Sequence, residues 1–527
     1  GVINFIKEKP APIGKIVGDY NLQLFSNSLG MTNNLGIKGS SKKLHGGIRF
    51  GNKTNADYLQ GGGDFVPNTR FSGNSLKTNV GFNNQNMSLD LFYDYSSYDI
   101  GLAAEDVIES IIEQGRGRKV DAFYMFLDNH LISSRNQFFF NKLRIELNSA
   151  YQNSSLVHGE EIEDVEIDMK LETITYETRF YLPSTEKNEY IIGIQGLNQI
   201  NTNRNNREVK LLPDAEINNY SAFGLLQFTF FEKMKLQSGI RYDYKSITTQ
   251  SVNLPEDFDF RPSLSNNYGS FSGSFGATYN QSEKLLFRAN FAAAYRTPSL
   301  AELTSNGFHE SRYELGNKDL IPQKAYETDA SIHFHSDNLT FDIAAFYNLI
   351  NDYIYITPTL DTSFSGDKIY KYKQTDAFLS GGEAGLHFHP QQIDWLHFET
   401  TYSKVTGKQK NGDYLPFIPA DKIKIELRVD KEKLGFLQNA FIKINSNTAL
   451  EKKQIAEEET FTDNYSIFDL GFGADIKLQN QLLSIGLGIT NILDTKYIDH
   501  LSTLKEVGYF NSGRNLYLSI KIPFGIN

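Results

Sequence analysis

Ten histidines and no cysteine leave imidazole and carboxylate as the strong metal ligands of this 527-residue chain. That donor set suits zinc and iron-type sites. Thiolate sites and disulfides are excluded. Two histidine pairs have i, i+2 spacing, His333 with His335 and His387 with His389. On a strand this spacing puts both rings on one face, where they could chelate a metal. Each pair abuts a turn sequence, His335-Ser336-Asp337-Asn338 and His389-Pro390-Gln391. Both pairs are therefore read as interfacial or turn histidines. Carboxylates concentrate between His158 and Asp168, at Glu160, Glu161, Glu163, Asp164, Glu166 and Asp168. Their field would attract cations, and oxygen ligands suit hard cations. The calcium-loop spacing with its glycine is missing, so a solvated acidic loop is expected. Glu457 to Glu459 reads the same way.

Covalent chemistry finds no support. The chain contains no G-x-S-x-G, H-E-x-x-H or G-x-x-x-x-G-K-[ST], the patterns that would place a nucleophile, a zinc pair or a phosphate cradle. Gly61 to Gly63 is a glycine turn. No enzyme activity and no cofactor are expected. A net charge of −11 argues against nucleic-acid binding, which calls for a basic surface.

The elements that would position these residues are strands. In Lys235 to Tyr244, KLQSGIRYDY, Leu236, Ile240, Tyr242 and Tyr244 share one face and Gln237, Gly239, Arg241 and Asp243 the other. This period of two recurs almost from end to end. A soluble sheet shows it as well, but few amphipathic helices are present to cover one. Ala103 to Glu113 is the best helical candidate. Gln137 to Tyr151 reads as one strand. Long polar inserts are expected at Gln152–Lys170, Asn201–Asn219, Ile247–Asn267, Pro358–Thr375 and Glu451–Asn464. Short turns on one side and long loops on the other are the habit of outer-membrane barrels.

No run of about eighteen apolar residues occurs, so no membrane-spanning helix is expected. A mean hydropathy of −0.40 does not oppose a membrane barrel, because lipid-facing and lumen-facing residues alternate. Aromatics make up 13% of residues with a single Trp, Trp395, which fits strands and interfacial girdles. At about 24 residues per strand and loop, the length fits about 22 strands. The expected fold is all-β, a transmembrane antiparallel β-barrel with long extracellular loops. In the final strand Leu516, Leu518, Ile520, Ile522 and Phe524 share a face, and Lys521 should point to the lumen, since a lipid-facing Lys costs about 2–4 kcal/mol at mid-membrane. Gly1 opens without a charged or apolar leader, as expected of a processed chain or a fragment.

Four segments carry a resemblance. GVINFIKEKP at Gly1–Pro10 comes first, and GIRYD at Gly239–Asp243 second. The third runs from Tyr295, with Arg296, Pro298, Glu302 and Leu303, then Glu314, Gly316, Asn317, Leu320 and Pro322. The fourth holds Asn491, Tyr497, Gly513 and Arg514. In this order, spread over the whole chain, they resemble the TonB-dependent outer-membrane receptors. Gly1–Pro10 is similar to the last strand of that family's plug domain. The C-terminal strand resembles the recognition signal of outer-membrane barrels, although Gly525 to Asn527 follow the aromatic Phe524.

The resemblance implies a receptor in the outer membrane of a Gram-negative bacterium. Residues 1–12 would end the plug and link it to a barrel at 13–527, with the plug largely absent from this chain. The implied activity is active uptake of a ferric siderophore, haem or a metal ion. The implied partners are the TonB complex, engaged through a plug that this chain lacks, the metal ligand, outer-membrane lipid and a surface lipoprotein. A passive plugless channel, or a scaffold barrel of an outer-membrane complex, is the alternative. Some resemblance to the zinc- and haem-uptake subgroup singles out His309, Glu310 and His500 as ligand or metal contacts in the vestibule. Arg296, Pro298, Glu302, Glu314, Gly316, Asn317, Asn491, Tyr497 and Arg514 are expected to be structural.

Overall fold

The computed structural model describes residues 8–103, 108–161, 164–205, 210–256, 260–309, 312–363, 366, 368–457, 459–478 and 481–526. Successive strands pair with their sequence neighbours, antiparallel, around a closed wall of 22. Closure is made by Ile16–Phe25 against Asn515–Ile526, in register from Ile16 opposite Ile526 to Phe25 opposite Tyr517. Two further strands, Asn306–His309 and Arg312–Leu315, form a small hairpin within a loop. It joins the wall sideways, where Tyr313 to Leu315 run parallel to Ile369 to Lys371.

The alternation read from the sequence defines two faces. On Met234–Thr249, Ile240 is 62% exposed on the apolar face. On the polar face the Arg241 guanidinium Nε donates to Asp243 at 2.8 and 2.9 Å. Leu437–Ala449 repeats this: Ile442 and Ile444 are exposed, while Lys443 reaches Glu426 at 3.3 Å. Lys521 lies opposite Asn21, in the row of Asp19. Asp19 in turn pairs with Arg49 at 2.7 Å. Lys521 therefore joins the polar lumen face, as its charge requires.

The two rims differ. Turns such as 41–43, 84–86, 231–233 and 336–338 close one rim, and connections such as 56–70, 297–322 and 491–514 stand at the other. Two expectations are corrected here. Gln137–Tyr151 is not one strand. Ala122–Phe140 and Leu143–Glu161 are separate, turned at Asn141 with a φ of 54°. The alternation runs through both, so only the left-handed residue marks the turn. Gln152–Lys170 and Pro358–Thr375 are largely strand as well. Leu143–Glu161 pairs with Asp164–Tyr181, and Leu339–Thr362 with Lys368–Phe388. These hairpins rise past the apolar band, so polar residues occupy both faces and polarity mimics a loop. The helix spans Ile108–Gln114, and Ala104 to Val107 of the expected one lie outside the described residues. The inserts near 204–214, 250–264 and 450–464 do interrupt the wall.

Burying an arginine at the middle of the apolar face costs about 2–4 kcal/mol. Ile240→Arg should therefore lower the urea midpoint of the barrel in lipid vesicles. Gln237→Arg, on the lumen face of the same strand, should leave it nearly unchanged; equal losses would invert the face assignment.

Candidate functional site: the vestibule and its loop lattice

The segment after strand Leu285–Arg296 is built around one carboxylate. Glu302 accepts from both sides of the turn: Arg296 Nη1 donates at 2.9 and 2.8 Å, and the Ser299 backbone N–H at 2.7 Å. Ser299 returns the contact by capping helix Leu300–Thr304 through the Glu302 N–H. This reciprocal capping box satisfies two otherwise orphaned donors. Pro298 is fully buried, and Leu300 and Leu303 pack with Ala215, Ile247, Leu320 and Ile354. Gly316 lies against the helix end, where an added Cβ would stand 2.4 Å from the Thr304 nitrogen. Asn317 then fastens the return: its N–H donates to the Glu302 carbonyl at 2.8 Å and its Nδ2 to the Tyr372 carbonyl at 3.1 Å. Glu314 is buried and accepts from Arg312 Nε at 2.8 Å and the Tyr372 hydroxyl at 2.9 Å.

The C-terminal motif does the same for the loop at 491–514. Asn491, at a φ of 49°, exchanges two hydrogen bonds with Thr495, through Nδ2 at 2.9 Å and Oδ1 at 2.8 Å. Asp494 accepts from the backbone of Arg514 at 2.7 Å and of Gly62 at 3.1 Å. Those backbone donors hold its carboxyl below the usual carboxylate range. Arg514 Nε donates to the Ile492 carbonyl at 2.9 Å, and the Tyr497 ring sits 4.6 Å from that of Tyr465.

The candidate metal residues are placed apart in this lattice. His309 lies in the small hairpin, its backbone opposite Arg312, and Glu310 lies outside the described residues. His500 is buried, with Nδ1 2.8 Å from Thr462 Oγ1 and Nε2 3.7 Å from Glu459. Glu459 also accepts from the backbone of Phe417 and Ala456, so this cluster ties three loops together. Among the described residues no three His, Asp or Glu side chains are grouped ready to hold a metal. In the acidic stretch, His158 Nε2 approaches Glu166 at 3.4 Å, and Arg204 pairs with Asp168.

Two features escaped the sequence reading. Asp57 and Arg70 form a wholly buried pair at 2.5 Å, and Asp57 also accepts from Thr69 and Gly117 backbone N–H groups. Asn68 Nδ2 donates to the carbonyls of Leu102, Ala122 and Phe123. Only the φ of 56° at Asn68 leaves a trace in residue type. Below this lattice, Asp243, Lys245, Tyr295 and Arg296 line a cleft in the lumen wall. With Arg296 paired to Glu302, the Lys245 ammonium and the Tyr295 phenol are the donors that a hydrogen-bonding anionic ligand would meet there.

Two outcomes follow from this geometry. Gly316→Ala forces a methyl against backbone and should destabilise the loop by about 1–3 kcal/mol, seen as faster hydrogen exchange at 300–320 with an intact barrel. Asp494 has a depressed folded value, so its contribution is full above the ordinary carboxylate range and is lost as pH falls through that folded value. Exchange at 491–514 should thus accelerate in acid, and Asp494→Asn should flatten that dependence. An unchanged acid profile in the variant would assign it to another group.

Comparison with known proteins agrees with this architecture. A family model described as TonB dependent receptor-like, beta-barrel matches residues 19–492. No curated protein matches the sequence. Among solved structures, the chain is similar to "Copper transporter OprC", with 15% identity, a TM-score of 0.81, and coverage of 98% of this chain and 82% of that one. The FrpB iron transporter from Neisseria meningitidis gives 12% identity, a TM-score of 0.76, and coverage of 97% and 82%. The siderophore receptor PirA from Acinetobacter baumannii gives 14% identity, a TM-score of 0.74, and coverage of 98% and 81%. At such identities the structural likeness speaks for the fold alone. The family match spans most of the chain, and by it this protein belongs to the TonB-dependent receptors, transport barrels rather than enzymes.

Proposed function

We propose that this barrel is an outer-membrane receptor for energised uptake of a metal chelate or metal ion. The observation that carries the reading is the family match over residues 19–492 on a closed barrel whose lumen face is polar. The structural neighbours are a copper transporter, an iron transporter and a siderophore receptor. The loops would capture the ligand, and the cleft of Lys245, Tyr295 and Arg296 would meet an anionic chelate on its way into the lumen. His309, Glu310 and His500 remain candidate metal contacts at the vestibule. We place the end of a plug domain and its linker at residues 1–12, with TonB acting through the plug. In support, Glu8 reaches lumen-face Lys38 at 2.7 Å and Arg49 at 3.2 Å. Burial alone would push its pKa up, but these two cations outweigh that and hold the carboxyl below its ordinary range. Glu8, ahead of the first strand, is thereby tied to the lumen face.

A deletion strain of the parent gene should lose growth on one class of chelated iron, copper or zinc as sole metal source. The chromosomal gene should restore it only in cells with a working TonB. Restoration without TonB would replace this reading with passive diffusion through an open channel. Unaltered growth on every metal source would leave a scaffold role for partner lipoproteins.

A further inference from the structure

The short-turn rim carries a feature that the vestibule reading does not use. Five of the ten histidines gather there: His333, His335, His387, His389 and His397. They arise from adjacent parts of the wall, with Thr340 opposite His387 and His387 opposite Glu399 in register. Phe334, Phe341, Phe388 and Phe398 occupy the alternate positions and belong to the apolar row. The imidazoles therefore share the polar lumen face with Asp342, Glu399 and Asp430. Ring contacts link four of them in a chain: His335 to His389 at 6.0 Å, His389 to His387 at 4.6 Å and His387 to His397 at 5.5 Å between centroids.

We propose that His387, His397 and Glu399 form a binding site for a borderline first-row transition-metal ion, zinc-like in its preferences, at the short-turn mouth of the lumen. His387 Nε2 stands 3.2 Å from His397 Nδ1, and the Glu399 carboxylate is 3.6 Å from the same Nε2. Two ligands bound at 2.0–2.1 Å to a tetrahedral centre stand about 3.3 Å apart, so the nitrogens already have the separation of neighbouring ligands. In the present rotamers they share a hydrogen bond, and a metal would take the place of that proton. No third donor is pre-gathered among the described residues. Glu399 supplies it by turning about its own side chain, which is 54% exposed and free to swing. Behind His397, the Asp430 carboxylate lies 3.6 Å from Nε2. A carboxylate on the far nitrogen sets the tautomer and raises the basicity of a ligating imidazole.

The donor types define the ion. Two imidazoles and one carboxylate favour zinc, copper(II) or nickel over the all-oxygen shells of calcium and magnesium. Three protein ligands leave a fourth position open to an exchanging group, which suits transit rather than a permanent structural metal. The transit role rests on the uptake reading above; the binding does not. The turn sequence after His389 favours a turn role for His387 and His389, and spacing within one strand cannot show His397, the partner that the next strand supplies.

The test uses folded barrel without a histidine tag, in detergent, titrated with Co2+. One Co2+ per chain should produce the intense visible bands of four-coordinate cobalt, and stoichiometric Zn2+ should erase them. His387→Gln with His397→Gln should abolish the bands. Asp430→Asn should weaken binding about tenfold, as loss of an outer-shell partner does. His130→Gln, in the apolar-face row beside Ile132, should change nothing. Far-UV circular dichroism checks that each variant keeps its strands. Six-coordinate spectra in the parent protein, or four-coordinate bands that survive the double variant, would overturn the site. Intact cobalt binding in a protein that supports no metal uptake would defeat the transport reading and leave this site standing.

Discussion

Everything in this molecule depends on closing the ladder between Ile16–Phe25 and Asn515–Ile526. A bilayer core offers no water, so each unpaired backbone N–H or C=O exposed there costs several kcal/mol. An open sheet of this size would carry two such edges; the closed one carries none. Closure also converts the alternation of each strand into an outside and an inside. Ile240, Ile442 and Ile522 are then free to face hydrocarbon, while Arg241, Lys443 and Lys521 must face the lumen.

That division determines where specific chemistry can reside. A row of charges inside the wall is tolerable because it faces water, and many of its members also pair along or across strands, as Arg241 does with Asp243 and Lys443 with Glu426. The wall is thus self-neutralised along much of its height. The ligand contacts proposed above lie in the loops, in the cleft near Arg296 and at the short-turn rim with its imidazoles.

The loops at the rim opposite the short turns are ordered by polar contacts as well as by the apolar cluster around Leu300 and Leu303. Glu302, Asp494 and Asp57 each collect several backbone or guanidinium donors in a small space, and Asn68 donates to three backbone carbonyls. Their shared logic is that of the helix cap: one short acceptor or amide satisfies groups that a tight turn leaves orphaned. Glu302, Asn317, Asn491 and Arg514, spread over the sequence, are members of such clusters. Glu302 and Gly316 act on the same turn although a whole hairpin lies between them. Arg514 and Gly62 meet on Asp494 although they come from opposite ends of the chain.

Period two made the strands legible in the sequence, because side-chain alternation is a local property, and the four family-like segments, with the chain length, turned those strands into the expectation of a barrel of about this size. The sequence also placed Lys521 in the lumen, since the cost of a lipid-facing charge is local too. It could not distinguish tall polar hairpins such as Leu143–Tyr181 from loops, because strands above the membrane band face water on both sides. It could not pair Asp57 with Arg70 as a buried ion pair, nor bring His397 to His387. Those meetings depend on strand register and on which turn folds back where, and register is a property of the closed sheet, not of any one strand in it.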